Sequence, residues 1–128
     1  MRELKRSDNN KLTIGDTRSG SEIILFYRNP TTDEEVAYRK EIYINDGKKV
    51  VYEPWGARLK FGQVIITGFR EGDFGIDGKP IASDPASPNY YADWKQLITD
   101  TASDLLMALS TAVFEGVLLA PSGDKGNP

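Results

Sequence analysis

The chain has 128 residues, a formal net charge of −3, and neither cysteine nor histidine. That length suits one domain with its own core, since a domain of this size buries roughly two-thirds of its unfolded surface. The missing cysteine excludes disulfides, thiolate metal sites and cysteine nucleophiles, and the missing histidine removes the commonest general base and metal ligand. Composition therefore predicts a non-catalytic protein with no cofactor and no bound metal.

Charge is unevenly distributed along the chain. Residues 1–70 hold 13 Lys+Arg and 10 Asp+Glu, whereas residues 71–128 hold 3 and 9. Either the protein has two oppositely charged faces that orient it in an assembly, or an acidic helix lies near the C-terminal end. No concentrated basic patch is visible, so a nucleic-acid partner is not expected. No run approaches the ~18 apolar residues of a membrane helix, so a membrane partner is not expected either.

The first 28 residues predict a leader followed by a β-hairpin. Residues 1–10 are polar and are interpreted as flexible, and no apolar stretch follows their positive charges, so a secretory signal is not predicted. Residues 11–14 alternate polar and apolar side chains, and residues 22–28 contain five consecutive apolar residues rich in β-branched and aromatic types. A glycine-bracketed loop joins the two segments, which predicts a hairpin over about 11–28.

A short helix is predicted over about 32–41. Pro30 ends the preceding strand because proline has no amide hydrogen to donate. Thr32 and Glu35 have the spacing of a capping box, in which each side chain accepts a hydrogen bond from the other residue's backbone amide. Three acidic residues in the first turn also favour the helix dipole.

Residues 42–53 fit two alternatives equally well. Asp46-Gly47 is a hairpin turn signal, because both positions tolerate a positive φ. A second hairpin therefore forms around this dipeptide, or the preceding helix continues and a loop follows it. The sequence leaves both alternatives open.

Residues 54–69 are interpreted as a second short helix, with a strand over 64–67 as the competing interpretation. Gly56 and Gly62 weaken the helix by about 1 kcal/mol each relative to alanine, unless they allow another element to approach closely. Gly68 is interpreted as the C-terminal cap.

Residues 70–88 are predicted to form a long loop, which in a compact domain is usually functional or disordered. Its acidic side chains form a candidate site of Glu71, Asp73, Asp77 and Asp84. The loop partly matches a calcium-binding loop, but Gly75 stands where an acidic or amide ligand is needed. Ordinary turn chemistry explains the same residues, so no metal site is predicted.

The clearest predicted element is a long helix over about 90–119. Apolar residues recur at helical spacing, Asn89 is a suitable N-cap, and Pro121 ends the segment. After Leu105 the helix is apolar on more than one side, so either another chain or the N-terminal strands must cover it. The residues predicted to contact a partner are Trp94, Ile98, Leu105, Leu106, Leu109, Val113, Phe114, Val117 and Leu118.

These elements predict one α+β domain over 11–120. It consists of an N-terminal β-hairpin, two shorter helices and the long C-terminal helix. Residues 121–128 are polar and are predicted to form a flexible tail.

Several stretches resemble small proteins of tailed-phage and prophage tail modules. These stretches are Tyr27 to Tyr38 (YRNPTTDEEVAY), Arg58 to Gly62, Thr67 to Gly72, and Asp84 to Lys95. Within that group the chain resembles tail assembly chaperones, which coat the tape-measure protein and recruit tail-tube subunits. The resemblance implies a chaperone or virion-accessory protein in the cytoplasm of a bacterial host. It also implies a tape-measure or tail-tube protein as partner, and it allows a homo-oligomer.

A second interpretation uses the acidic half of the chain, which has a net charge of −6 after residue 70 from 3 basic and 9 acidic residues. Such a surface suits a small phage-encoded inhibitor or regulator, for example an anti-defence protein that binds a basic partner surface. Neutralising the loop carboxylates would then abolish binding.

Overall fold

A computed structural model describes residues 1–117. Its helices and small antiparallel sheets place the chain in the α+β class, as predicted. In chain order the elements are β1 (Asn10–Asp16), β2 (Ser21–Tyr27), α1 (Thr32–Glu41), β3 (Tyr43–Asn45), β4 (Val50–Tyr52), α2 (Trp55–Ile65), β5 (Ile66–Phe69), β6 (Gly75–Ile76), β7 (Lys79–Pro80), α3 (Trp94–Thr101) and α4 (Ser103–Phe114).

The main sheet has three antiparallel strands in the order β1-β2-β5. The predicted hairpin over 11–28 is confirmed, since β1 and β2 pair along seven residues without a register shift. Ile23 and Leu25 of β2 are buried in the core, whereas β1 alternates between half-buried and exposed residues. β5 pairs with the other side of β2, so β2 is the central strand and β1 lies at the sheet edge.

Helix α1 has the predicted bounds, but its capping box lies one residue earlier than predicted. The Thr31 hydroxyl accepts a hydrogen bond from the Glu34 amide at 3.1 Å, and Glu34 Oε1 accepts one from the Thr31 amide at 2.9 Å. The predicted pair of Thr32 and Glu35 is therefore wrong. Glu34 also forms a 2.8 Å ion pair with Arg28 at the end of the hairpin, and this contact favours the earlier of the two overlapping frames.

Replacing Thr31 with alanine is expected to lower the free energy of unfolding by about 1 kcal/mol, because one amide in the first turn loses its acceptor. Thr32 is the matched control, since its side chain is exposed, and Thr32→Ala is expected to change stability by only a few tenths. Urea unfolding of both variants measures the difference. Equal losses in the two variants would contradict Thr31 as the cap, and a larger loss in Thr32→Ala would return the cap to the Thr32 frame.

The structure resolves both ambiguous segments. Residues 42–53 form the hairpin β3–β4, which was one of the two alternatives. Residues 54–69 contain both competing elements, because α2 ends at Ile65 and β5 begins at the next residue. The interpretation of Gly68 as a helix cap is wrong, since it lies in β5 where a Cβ would approach the Ser83 hydroxyl at 2.6 Å.

The prediction of one long helix over 90–119 is wrong, because α3 and α4 are bent by 95° at Ala102. The hydroxyls of Thr99 and Thr101 donate to carbonyl oxygens four residues earlier, a bond that competes with the helical ladder and bends helices. No single helix within residues 1–117 has the length and apolarity of a membrane span. Helices α3 and α4 meet both criteria only when they are counted together as one bent pair.

The bend brings α4 across α2 at very short range. A Cβ at Gly62 would lie 2.3 Å from the backbone oxygen of Leu106, so only glycine fits at the crossing. The prediction that a glycine in this helix allows another element to approach closely is therefore confirmed for Gly62. Gly56 faces open space instead. Around the crossing, Tyr38, Phe61 and Phe114 pack ring against ring and form the centre of the core.

Candidate protein-binding surface

The β3–β4 hairpin is separate from the main sheet, and its two strands pair only with each other within residues 1–117. Tyr43 lies opposite Tyr52 and Ile44 lies opposite Val51, so apolar side chains occupy both faces of the hairpin. A turn closes it with Gly47 at φ 93°, a conformation that favours glycine. An isolated two-stranded hairpin is marginally stable in water, and exposed apolar side chains that lie together are typical of interaction surfaces, so this hairpin is the candidate binding surface.

Five exposed side chains of the hairpin and of the first residue of α2 define this surface, which we call the hairpin patch; Tyr43, Val50 and Tyr52 lie on one face of the hairpin and Ile44 lies on the other. Each exposes between 44% and 67% of its area. The members are Tyr43, Ile44, Val50, Tyr52 and Trp55. Removing apolar surface from water contributes about 25 cal/mol per Å², so covering the patch is favourable.

A charged network holds the base of the hairpin patch. Arg58 donates from Nε to Glu115 Oε2 at 2.8 Å and from Nη2 to Glu115 Oε1 at 2.9 Å. The Tyr52 hydroxyl donates to Glu115 Oε1 at 3.1 Å, and the buried Tyr38 hydroxyl donates to Oε2. The Arg58 guanidinium also lies 5.0 Å from the ring centroid of Trp55, a cation–π distance. We call Tyr38, Tyr52, Arg58 and Glu115 the Glu115 network.

The protonation states in the network are fixed near neutral pH. The hydrogen bonds from Arg58 lower the pKa of the Glu115 carboxyl to about 2, so this group is an anion. Burial raises the pKa of the Tyr38 hydroxyl above its usual range, so this group stays a donor. Because none of these groups titrates near neutral pH, the network suits positioning of the patch and does not suit proton transfer.

The turn of the hairpin adds positive charge beside the patch. Lys48 and Lys49 are exposed, and neither forms an ion pair within the part of the chain that the structure describes. Asp46 Oδ1 accepts their two backbone amides at 3.1 and 3.0 Å, which fixes the turn. The surface therefore combines an apolar and aromatic centre with a basic end.

Most of the residues predicted to contact a partner are covered by the chain itself. Ile98, Leu105, Leu106, Leu109 and Phe114 are buried in the core. Trp94 is half-buried with its ring edge-on to Phe69 at 5.8 Å, and Val113 is also half-buried. Val117 exposes 72% of its area, and Leu118 lies outside the described residues. The chain's own α2 packs against much of α4, and this is the most extensive contact between helices in the described part of the chain.

The acidic loop residues do not converge on one point. Asp73 forms an ion pair with Arg70 and accepts the Ile24 amide at 2.8 Å. Glu71 Oε2 accepts the Asn89 side-chain amide at 3.0 Å. The prediction that Asn89 caps the helix is wrong, because α3 begins at Trp94 and its N-cap position is Asp93. Asp77 and Asp84 lie in two separate turns. Asp77 has a positive φ of 51°, and Asp84 Oδ1 accepts the Ala86 amide at 2.9 Å. Residues 1–117 contain no group of three Asp, Glu, His or Cys side chains that could hold a metal.

The hairpin patch was not predicted as a site, although its signal is present in the sequence. Residues 43–44 and 50–52 are apolar at consecutive positions on both sides of an Asp-Gly turn. A hairpin that buries one face would alternate apolar and polar residues. Consecutive apolar residues in such short strands therefore indicate two apolar faces, and only the structure shows that side chains on both faces, such as Tyr43 and Ile44, are exposed.

Comparison with known proteins adds no relative: no family model, curated protein or solved structure matches the chain. The fold and the surface together define an α+β protein that presents an aromatic hairpin on a fixed base.

Proposed function

We propose that this chain is a non-catalytic protein-binding protein that docks a partner protein on the hairpin patch. The observation that carries the proposal is the exposure of three aromatic rings, those of Tyr43, Tyr52 and Trp55, on and beside a hairpin that pairs with no other strand within residues 1–117. Tyrosine, tryptophan and arginine dominate the binding energy of protein interfaces. The patch combines the first two residue types with Arg58 directly beneath.

The fixed base of the patch supports the same function. Tyr52 is hydrogen-bonded to Glu115, and Trp55 is stacked on Arg58. Side chains held in place before binding lose less conformational entropy on association, and the gain appears as affinity. The Glu115 network therefore holds side chains of the hairpin patch in place before binding, which a cluster that is merely exposed would lack.

Charge defines the kind of partner. Lys48 and Lys49 lie at the open end of the patch without an internal counter-ion in the described part of the chain. A partner segment with apolar side chains flanked by carboxylates would be complementary to this arrangement. Binding to it is expected to weaken as ionic strength rises.

The resemblance supplies the most specific form of the proposal. The stretches from Tyr27 to Tyr38 and from Asp84 to Lys95 resemble tail assembly chaperones of tailed phages. On that basis the chain is an assembly chaperone or virion-accessory protein, and the segment that it binds belongs to a tape-measure or tail-tube protein. Such a role needs exposed apolar surface and no catalysis, which agrees with the patch.

Val50→Asp tests the patch directly. Docking would bury the new carboxylate without a partner, so affinity for the tape-measure or tail-tube protein of the same phage is expected to fall by roughly 100-fold. Val36→Asp is the matched control, because Val36 is an exposed valine on α1 that does not belong to the patch. Titration calorimetry measures both, with thermal unfolding of each variant as the check on folding.

Two results would contradict the proposal. Binding of neither tail protein by the unmodified chain removes the tail assembly role. Equal affinities for Val50→Asp and Val36→Asp remove the patch as the binding surface, even if a complex forms.

The second interpretation, an acidic inhibitor of a basic partner, has less support. Asp73 is already neutralised by Arg70, and Glu71 is hydrogen-bonded to Asn89. The remaining loop carboxylates lie in separate turns. The charges that such an inhibitor needs are thus partly used inside the chain.

A further inference from the structure

The outer edge of β1 has unpaired backbone groups along its whole length. β1 runs over seven residues, contains no proline and no bulge, and pairs only with β2. Long, regular and uncovered edge strands pair readily with other strands, and natural proteins usually cover or interrupt them. Nothing within residues 1–117 covers this one by backbone hydrogen bonds.

The hydrogen bonds of β2 show which β1 groups point outward. The Ile24 carbonyl accepts the Arg70 amide at 3.0 Å, and the Ile24 amide donates to Asp73, so both backbone groups of Ile24 face away from β1. Thr13 lies opposite Ile24. In an antiparallel pair the hydrogen-bonded positions alternate, so the amides and carbonyls of Lys11, Thr13 and Gly15 point away from the sheet.

The opposite edge of the same sheet is closed. The Ser83 hydroxyl accepts the Phe69 amide at 2.9 Å and donates to the Phe69 carbonyl at 3.3 Å. A Cβ at Gly68 would already contact this hydroxyl. In the described part of the chain, β1 is therefore the open edge of the three-stranded sheet.

We propose that β1 pairs antiparallel with β1 of a second copy of this chain, about a twofold axis at Thr13, forming a continuous six-stranded sheet. In this register the three outward-pointing residues of one copy lie opposite those of the other: Thr13 opposite the partner's Thr13, and Lys11 opposite the partner's Gly15. Each such pair exchanges two backbone hydrogen bonds. The interface is isologous, as a twofold dimer requires.

The side chains of β1 are complementary to themselves in this register. On the core face Leu12 lies opposite the partner's Ile14, and both side chains already pack against the core. Asp16 lies opposite the partner's Asn10, so no like charges face each other. On the exposed face two threonines meet, which is a favourable cross-strand pair.

Neighbouring registers are less favourable. A shift of the axis to Ile14 places Asp16 opposite the partner's Leu12 and shortens the overlap. A shift to Leu12 places Asn10 opposite the partner's Ile14. A shift that places outward residues opposite inward ones loses the backbone bonds altogether. The register about Thr13 is the one that pairs all seven residues.

Thr13→Pro and Thr13→Lys test this dimer. Proline removes an outward amide that β2 does not use, so the fold is retained while two symmetry-related hydrogen bonds are lost. Lysine places two ammonium groups opposite each other at the axis. We expect each substitution to raise the dimer dissociation constant by about tenfold or more. Thr67→Lys is the control, since Thr67 is exposed on β5 of the same sheet.

Sedimentation equilibrium measures the dissociation constants, and amide hydrogen exchange by NMR locates the interface. In the dimer the amides of Lys11, Thr13 and Gly15 should exchange slowly. In Thr13→Lys, Lys11 and Gly15 should exchange fast, while Leu12 and Ile14 stay protected by β2, which shows that the variant is folded.

A wild-type chain that sediments as a monomer at about 100 µM would overturn the proposal, since the dissociation constant would then lie well above about 100 µM, too weak for the specific dimer proposed. A dimer that persists equally in Thr13→Pro, Thr13→Lys and Thr67→Lys would also overturn it. Loss of the dimer in Val50→Asp alone would place the contact between copies at the hairpin patch instead. The dimer and partner binding are measured separately, so the failure of one leaves the other standing.

Discussion

Gly62→Ala is expected to lower the free energy of unfolding by about 3 kcal/mol, the upper end of the usual cost of overpacking. The new methyl group would lie 2.3 Å from the backbone oxygen of Leu106 and 2.9 Å from its carbonyl carbon. Both helices present backbone at this point, so no side-chain rotation relieves the contact. The α2–α4 crossing must widen, and the aromatic core beside it must loosen.

Gly56→Ala is the matched control, because it makes the same change in the same helix. A Cβ at Gly56 meets no atom within 4 Å. Alanine there is expected to stabilise the protein by about 0.5 to 1 kcal/mol through its higher helix propensity. Chemical denaturation measures both variants, and the prediction is a difference in sign. If both substitutions stabilise the chain, the two helices do not cross as closely as described.

Glu115→Gln is the second large effect expected. Glutamine keeps the size of the side chain but removes the charge that Arg58 contacts. The side chains of Arg58 and Glu115 are only 15% and 19% exposed, so the unpaired guanidinium would remain mostly out of water. After allowing for partial screening by solvent, we expect a loss of about 2 kcal/mol at pH 7.

The pH dependence of this loss has a defined sign. The hydrogen bonds from Arg58 lower the pKa of Glu115 from 4.5 to about 2 in the folded chain. A carboxyl whose folded pKa is depressed contributes stability that is present above the unfolded pKa. That contribution declines as pH falls from about 4.5 towards 2. Wild type and Glu115→Gln should therefore approach each other in stability over this range.

Glu34 adds to the acid sensitivity of the wild type and remains in the variant. Its pKa is lowered from 4.5 to about 2, chiefly by its hydrogen bonds with Arg28. Glu115→Gln should thus lose stability with falling pH less steeply than wild type, and it should not become independent of pH.

Glu41→Gln is the control for a carboxylate in an exposed pair. Its partner Lys60 is 59% exposed and Glu41 itself is 39% exposed, so water screens the pair and a change of a few tenths of a kcal/mol is expected. Urea denaturation of the three proteins at several pH values between 7 and 2.5 is the measurement. A constant gap between wild type and Glu115→Gln across that range would show that charge is not its source.

Elements with strong local signals were predicted well. The β1–β2 hairpin followed from alternation, a β-branched run and a glycine loop, all within 20 residues. Helix α1 followed from Pro30 before it and acids in its first turn. Its N-cap was predicted one residue too late, because Thr31 with Glu34 and Thr32 with Glu35 both have the spacing of a capping box. Arg28, six residues from Glu34, favours the frame that is formed.

Elements with equal local preferences could not be predicted. The hydrophobic pattern from Trp94 to Val113 fits one long helix as well as two shorter ones. The bend at Ala102 lets α4 bury Leu106 and Leu109 against α2, which a straight helix could not do while Ile98 stays in the core. Residues predicted as a binding surface thus became core, because helical periodicity does not show which element covers an apolar face.

The candidate site was missed for the same reason. Tyr43, Tyr52 and Trp55 are ordinary core residue types, and no local pattern shows whether another element covers them. By itself the sequence determined the α+β class, the first hairpin, the bounds of α1 and the lack of histidine and cysteine, since these depend on composition and neighbouring residues. Tertiary structure decided the bend at Ala102, the crossing at Gly62, the Glu115 network and the exposed hairpin patch. These features depend on which distant segments meet, because burial is a property of the packed chain and not of any single segment.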